Sequence, residues 1–232
     1  MTTRWLGIDI GGTDPRLQLM EAGRVWSGFR KVPTASWAQQ HDALATLGQL
    51  IAETLEQLPE NAVGLYPGTG MGNSLWLNGR FYHGQHGGAG ELGHVPVAGN
   101  ALPCPCGNHG CAETVTSGHW LSHRAQANAA QTPMSALFTH HGSDPALQAF
   151  VHRLAQLIAT EMNILDPEYL ILGGGVLAMA DFPLAQLRSQ IQQHLRPPAT
   201  RDGLKIIFSQ STDHTGCRSA CLAAERLFRS AQ

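Results

Sequence analysis

Cys104-Pro105-Cys106 and, five residues on, Cys111 set three thiols in a short glycine-bearing segment, with His94 ten residues upstream of the first. Three sulfurs and one imidazole nitrogen form the closed tetrahedral donor set of a structural zinc ion. The bland alternative is a group of incidental buried thiols, against which the clustering and the glycines argue. His83, His86 and His109 stand nearby as competing imidazoles, but His109 falls inside the tight turn and reads as a solvated loop residue. Metal binding here would set the loop, because its binding free energy becomes folding free energy. Glu113 follows Cys111 by two positions and Glu91 precedes His94 by three. Two carboxylates anchored beside one metal suit hydrogen bonding to sugar hydroxyls, since each offers several acceptor sites. Without the metal beside it, either glutamate alone reads better as a helix-terminal or surface charge.

Two further segments share one design. Asp9-Ile10-Gly11-Gly12-Thr13 and Gly68-Thr69-Gly70-Met71-Gly72 each join a strand to a glycine turn that carries a hydroxyl. Bare backbone amides in such a turn can approach phosphate oxygens, although a glycine-rich hairpin is often only a turn. Asp9, at a strand end, suits Mg²⁺ held through water. Gly173-Gly174-Gly175 follows an apolar strand and precedes a helical segment, so that an adenosine can lie flat against its backbone. The alternative is a close strand-to-helix packing turn.

The elements that must position these groups are legible from periodicity. Residues 4–10 read as a strand, and the Gly11-Gly12-Thr13 turn closes a hairpin onto a second strand at 16–20, where Pro15 is awkward. Residues 24–32 supply a third strand. Ala43, Leu44, Leu47, Leu50, Ile51 and Leu55 recur at helical spacing. Strands are expected at 62–66 and 74–77, the latter turning at Asn78-Gly79. Residues 81–110 form a long Gly-, His- and Pro-rich loop, and a loop of that length inside a compact domain is usually functional or tied down. A helix over 144–165 carries Leu147, Phe150, Val151, Leu154, Leu157 and Ile158 on one face. A strand at 169–172, a helix at 182–195, a strand at 204–209 and a closing helix at 216–228 complete the chain.

The 232 residues are 43% hydrophobic and only 14% charged, enough for one large or two small cores. A formal net charge of -2 gives no basic footprint for nucleic acid or an anionic membrane. The N-terminus passes at once into a strand pattern without a signal-peptide core, and five cysteines without a secretion signal favour metal over disulfides. A cytoplasmic protein with small neutral or anionic ligands is the expectation.

In this order the segments resemble the ROK family of sugar kinases and related repressors. The most specific parts are Ala89-Gly90-Glu91-Leu92-Gly93-His94 and the run from Cys104 through Cys106 and Cys111 to Glu113. The resemblance implies an α/β, actin-like and ribonuclease-H-like ATPase fold of two lobes. The expected division is a reduced N-terminal lobe at 1–62 and a C-terminal lobe at 63–232, whose closing helix packs on the first lobe. It implies that Glu91, His94 and Glu113 contact a hexose, with His94 also binding zinc. Asp9, Gly11, Gly12 and Thr13 would form the first phosphate loop, Gly68, Thr69, Gly70 and Gly72 the second, and Gly173, Gly174 and Gly175 would meet adenosine. Cofactors would be structural Zn²⁺, and Mg²⁺ with ATP. Partners would be ATP, a hexose and a second copy of the chain. Gly68 to Gly72, Trp76-Leu77-Asn78-Gly79 and the stretch from Asn163 to Val176 look most like the allose-phosphorylating members.

The sequence departs from the family pattern in one stretch. Family members carry a strand, a sugar loop and an aspartate base between the first long helix and the second phosphate loop. Here Asp14 and Asp42 are the only aspartates between Thr13 and Gly68, Asp42 falls in the helical stretch, and no catalytic residue is assigned. An acidic Asp14 followed by Pro15 is a further departure, because a carboxylate there repels phosphate. The expected function is therefore ATP-dependent hexose phosphorylation, with a non-catalytic sugar or nucleotide binder as the alternative. A ROK repressor would need a helix-turn-helix ahead of the first phosphate loop, where only eight residues precede Asp9.

Overall fold

A computed structural model describes the backbone of residues 4–10, 15–21 and 24–31, and residues 60–128 and 132–209. The chain divides into two compact units, one of Met1–Leu58 with Ser209–Gln232 and one of Pro59–Phe208. The expected boundary after residue 62 thus falls at the first residue of a strand of the second unit, and residues beyond 208 group with the first. Gly11, Gly12, Thr13, Asp14, Asp42, Cys217, Cys221 and the helices expected at 43–55 and 216–228 lie outside the described residues.

In the first unit, β1 (Arg4–Ile10), β2 (Pro15–Glu21) and β3 (Arg24–Lys31) form an antiparallel sheet in chain order. Ile10 pairs with Pro15 and Asp9 with Arg16. Pro15 is accommodated because it opens its strand, a position where a missing N–H does least harm to the ladder.

The second unit is built on a five-stranded sheet of β4 (Ala62–Pro67), β5 (Met71–Leu77), β6 (Arg80–Phe81), β7 (Tyr169–Leu172) and β8 (Lys205–Phe208), in the order β6-β5-β4-β7-β8. β4, β5 and β6 pair antiparallel, whereas β7 and β8 add parallel to β4. Three antiparallel strands followed by parallel ones reached through helices is the ribonuclease-H-like arrangement. The β5–β6 hairpin turns at Asn78 and Gly79, with φ of 54° and 70°. Two consecutive positive φ values define the tight turn that matches strand twist.

Among the described residues there are six α-helices: α1 (Glu113–Thr116), α2 (Gly118–Asn128), α3 (Leu137–His141), α4 (Pro145–Leu165), α5 (Leu184–His194) and α6 (Ala199–Gly203). α4 begins where Asp144 accepts the Ala146 N–H at 2.8 Å, with Pro145 opening the first turn. Proline is suited there because its missing N–H would lack an intrahelical partner anyway. The helix ends where Asp166 turns left-handed at φ 45°, just before Pro167. Leu147, Phe150, Val151, Leu154, Leu157 and Ile158 are all buried, in one core with Val63 and Leu65 of β4 and Leu170 and Leu172 of β7. Each such side chain contributes about 1.5–3 kcal/mol relative to exposure. Arg124 of α2 ties onto the start of α4 through Asp144 at 2.7 Å.

β4 and β7 run parallel, with Leu65 opposite Leu172, and lead into Gly68 and Gly173 at the same edge of the sheet. The Gly173 N–H donates to Leu65 O at 3.0 Å and the Val176 N–H to Pro67 O at 3.0 Å. At Gly174, φ is +91° and an added Cβ would lie 2.6 Å from Pro67 O. Both the positive φ and the backbone contact exclude a side chain, so the Gly174→Ala variant is expected to lose about 3 kcal/mol or more in urea unfolding. A loss under about 0.5 kcal/mol would contradict this close approach.

Candidate functional site

The site lies at the ends of β4 and β7, the edge of an open α/β sheet where ligands collect. Gly68, Thr69 and Gly70 form the turn out of β4. Met71 and Gly72, expected as part of that turn, lie in β5, with Gly72 opposite Tyr66 in the ladder. The turn is shorter than the glycine pattern suggests because the antiparallel pairing runs up to Pro67 and Met71. The Gly68 N–H donates to Gly70 O at 2.9 Å and is thereby occupied. The start of α2 grips the turn from the other side: the Gly118 N–H donates to Gly68 O at 2.7 Å and the His119 N–H to Thr69 O at 3.1 Å.

The glycine-rich loop is tied down by two small antiparallel crossings. Pro96 bridges Cys111, with the Val97 N–H donating to Gly110 O and the Ala112 N–H to Val95 O, each at 2.9 Å. Pro103 bridges His109, with the Cys104 N–H donating to Asn108 O at 2.8 Å and the Gly107 N–H to Cys104 O at 3.0 Å. The first crossing carries His94 up to Cys111, and the second folds Cys104 and Cys106 over the same point. Asn100 locks the two together: its Nδ2 donates to Cys111 O at 3.1 Å and Thr114 Oγ1 at 2.8 Å, and its Oδ1 accepts the Leu102 N–H at 3.2 Å.

The ligand atoms of His94, Cys104, Cys106 and Cys111 all fall within 4.8 Å of one another. Around one zinc ion, tetrahedral geometry separates two sulfurs by about 3.8 Å and a sulfur from a nitrogen by about 3.6 Å. Cys106 Sγ and Cys111 Sγ stand 3.7 Å apart, and Cys104 Sγ and His94 Nδ1 3.6 Å apart. The donor set and its spacing therefore fit zinc. His83, His86 and His109 do not join this cluster, the one group of its kind among the described residues.

Burial pushes the Cys104 thiol up to about 12 and raises that of Cys111, while the backbone N–H of Asn108 lowers that of Cys106. A cation supplies the compensation that buried thiolates lack. His94 Nδ1 faces the sulfurs and Nε2 lies 3.5 Å from Glu91 Oε2, so a metal on Nδ1 leaves Nε2–H to orient against that carboxylate. Glu113 Oε1 lies 3.7 Å from His94 Nδ1 and accepts from the Cys104 thiol at 3.2 Å. A metal-bound thiolate has no proton to donate, which leaves Glu113 free to accept from hydroxyl donors. Its second oxygen, Oε2, approaches Gly70, where an added Cβ would lie only 3.0 Å away. The metal loop, the carboxylates and the glycine turn thus form one continuous surface. Asp9 is placed in β1 opposite Arg16 and belongs to the other unit.

The sequence pattern of the ROK family matches residues 40–226. The chain belongs to the ROK family. Among curated ROK relatives it is similar to the N-acetylmannosamine kinase of Vibrio cholerae serotype O1, at 33% identity over 129 residues covering 53% of this chain and 45% of that one. It is also similar to the N-acetylgalactosamine kinase AgaK of Shewanella sp. (strain ANA-3), at 32% identity over 179 residues covering 71% and 57%. The chain spans about half the length of the curated relatives it matches. Among solved structures it resembles a ROK family glucokinase from Streptomyces griseus in complex with glucose and AMPPNP. That match has a TM-score of 0.78 and 20% identity, covering 97% of this chain and 100% of that one. At that identity the likeness establishes the α/β, actin-like ROK fold. Among the described residues no helix is long and apolar enough to cross a membrane.

Proposed function

We propose that this ROK chain binds a hexose and ATP and directs phosphoryl transfer to the sugar 6-hydroxyl. The observation that carries the reading is the approach of Glu113 Oε2 to Gly70, which sets a carboxylate against the glycine turn after β4. Glu91 and Glu113 accept from sugar hydroxyls, and His94 fixes Glu91 while holding the metal loop. Zinc, bound by His94, Cys104, Cys106 and Cys111, supplies folding free energy and rigidity to that loop. Thr69 and Gly70 serve the transferred phosphate and Gly173 to Gly175 the adenosine, while Asp9, Gly11, Gly12 and Thr13 are assigned to phosphate binding from the sequence pattern alone. Mg²⁺ arrives with the ATP. Phosphoryl transfer depends chiefly on positioning and charge stabilisation rather than covalent help from the protein.

The named relatives point to N-acetylhexosamines and glucose as candidate sugars. The Trp76-Leu77-Asn78-Gly79 pattern adds allose to the set. A homodimer covering the edge of the β1–β3 sheet belongs to the same proposal. One observation favours a second reading, a non-catalytic sugar or nucleotide sensor. Asp14 and Asp42 are the only aspartates between Thr13 and Gly68, and neither is assigned as the base that a kinase needs.

A coupled assay of ADP production separates the two, run over allose, glucose, mannose, fructose, N-acetylmannosamine and N-acetylgalactosamine beside calorimetric sugar titrations. Sugar-dependent turnover well above an Asp9→Ala variant is the result expected of a kinase. Sugar binding with no ADP release would overturn it in favour of the sensor.

A further inference from the structure

Glu161 is the one carboxyl buried in the α4 core face, and no step of sugar or nucleotide binding uses it. It sits beneath β5, where Glu161 Oε2 accepts from Asn73 Nδ2 at 3.2 Å. The same Nδ2 donates to Gly64 O of β4 at 3.2 Å, so both amide hydrogens are engaged. Asn73 Oδ1, by contrast, is fully buried and has no partner among the described residues. An unsatisfied acceptor in a dry core costs about 1–3 kcal/mol. A carboxylate beside it would add repulsion between two acceptors.

Both difficulties vanish if the carboxyl carries a proton. A neutral acid has one donor and one acceptor, the complement of a primary amide. We propose that Glu161 is a neutral carboxylic acid in the folded protein, paired reciprocally with Asn73, and that this pair is the latch positioning the phosphate turn from behind. One Glu161 oxygen accepts from Nδ2 and the protonated one donates to Oδ1.

Asn73 is well placed for that role. It directly follows Gly72 in the strand leaving the turn, and its carbonyl packs on Gly90, where an added Cβ would lie 2.9 Å from Asn73 O. Gly90 precedes the sugar carboxylate Glu91. Asn73 therefore joins α4, through its side-chain amide, to the segment around Gly90, through its backbone carbonyl.

Burial raises the Glu161 carboxyl to about 7, and the Asn73 N–H moderates the rise. Elements packed against α4 carry other titratable groups: Tyr66 on β4, Tyr169 on β7, Glu113 on α1, Arg188 and His194 on α5, with His152 and Arg153 on α4 itself. None of them contributes to the shift, whose causes are burial and Asn73 alone. The sign follows directly. An acid whose folded value exceeds its unfolded one holds its stabilisation fully below the unfolded value near 4.5 and loses it as pH rises to about 7.

The test compares thermal melting of the metal-loaded full chain with its Glu161→Gln and Glu161→Leu variants from pH 5 to 9. Glutamine is a permanent neutral partner that donates and accepts as the protonated acid does. The expected result is that Glu161→Gln melts near wild type at pH 5 and lacks the component of pH-dependent loss that wild type shows up to pH 7. Glu161→Leu should melt lower at pH 5. Wild type and Glu161→Gln following one pH profile would overturn the proposal, as would Glu161→Gln melting as low as Glu161→Leu at pH 5. Difference infrared spectra of wild type against Glu161→Gln at pH 6 should contain the carbonyl stretch of a protonated carboxyl, and its absence would also overturn it.

The positioning role rests on the reading of Gly68 to Gly72 as a phosphate turn. It is read by MgAMPPNP titration, with wild-type affinity falling several-fold between pH 6 and 8.5 and Glu161→Gln affinity changing less. Equal pH dependence in both would overturn the positioning role. Failure of both proteins to bind MgAMPPNP at any pH would overturn the phosphate-turn reading and the positioning role with it, while the melts still decide the protonated pair.

Discussion

Replacing Cys106 by serine is expected to abolish tight zinc binding and to lower the melting temperature by ~10 °C or more. Cys106 is the exposed member of the set, whereas Cys104 and Cys111 are buried. Its loss therefore removes a ligand without opening a core cavity, and a lowered melt reports the metal rather than packing. Apparent zinc affinities in small folded sites reach about 10–16 kcal/mol. The loop from Val95 to Ala112 has little else to hold it: a few backbone bonds, Asn100 and a largely exposed surface. A chelator should reproduce the effect in wild type and add nothing in the Cys106→Ser variant. Because protonated thiols must release their protons to bind, chelator resistance should weaken from pH 8 to pH 6, by about tenfold per pH unit for each thiol that titrates on binding. Differential scanning calorimetry with metal analysis checks both. A melt unchanged by chelator would contradict a structural metal.

The second large effect is expected at Glu113. The Glu113→Gln variant keeps the size and the contact with Gly70 but exchanges a two-oxygen anionic acceptor for an amide with one acceptor and a donor. Hydrogen bonds to a charged acceptor contribute about 1.5–3 kcal/mol each, so hexose affinity should fall by about 10²-fold if both oxygens are used. The metal-loaded melt should move little, because Glu113 is not among the four metal donors. Calorimetric titration of the best-bound sugar into both proteins measures it. Equal affinities would remove Glu113 from the sugar site.

The contrast between these residues explains what could be read in advance. The metal loop was legible because its chemistry is concentrated: four donors within a short stretch satisfy one coordination rule, whatever path the backbone takes between them. α4 was legible for a similar reason, since Leu147, Phe150, Val151, Leu154, Leu157 and Ile158 recur at one period and all end in the core. The Asn78-Gly79 turn was legible because type I′ geometry demands those residue types.

Asn100, Asn73 and Glu161 were not legible, and for a physical reason. An asparagine in a glycine-rich loop looks like ordinary turn chemistry, and only the folded crossings reveal that Asn100 spans from Leu102 to Thr114. Glu161 looks like a polar residue on a helix. Its significance depends on Asn73, 88 positions away, which no local period connects to it. The short helices α1, α3 and α6 were equally obscure, because four or five residues cannot establish a helical repeat. The glycine turn after β4 was read too long, since glycines at 68, 70 and 72 suggest one loop where strand pairing has already absorbed the last.

The claim that joins these observations is that the metal loop and the sugar site are one structure, through His94 and Glu113. The most direct measurement is a titration of zinc back into chelator-stripped protein, following bound metal and hexose binding in parallel. Hexose binding should return in proportion to zinc and saturate at one ion per chain. Full hexose affinity in metal-free protein would contradict it.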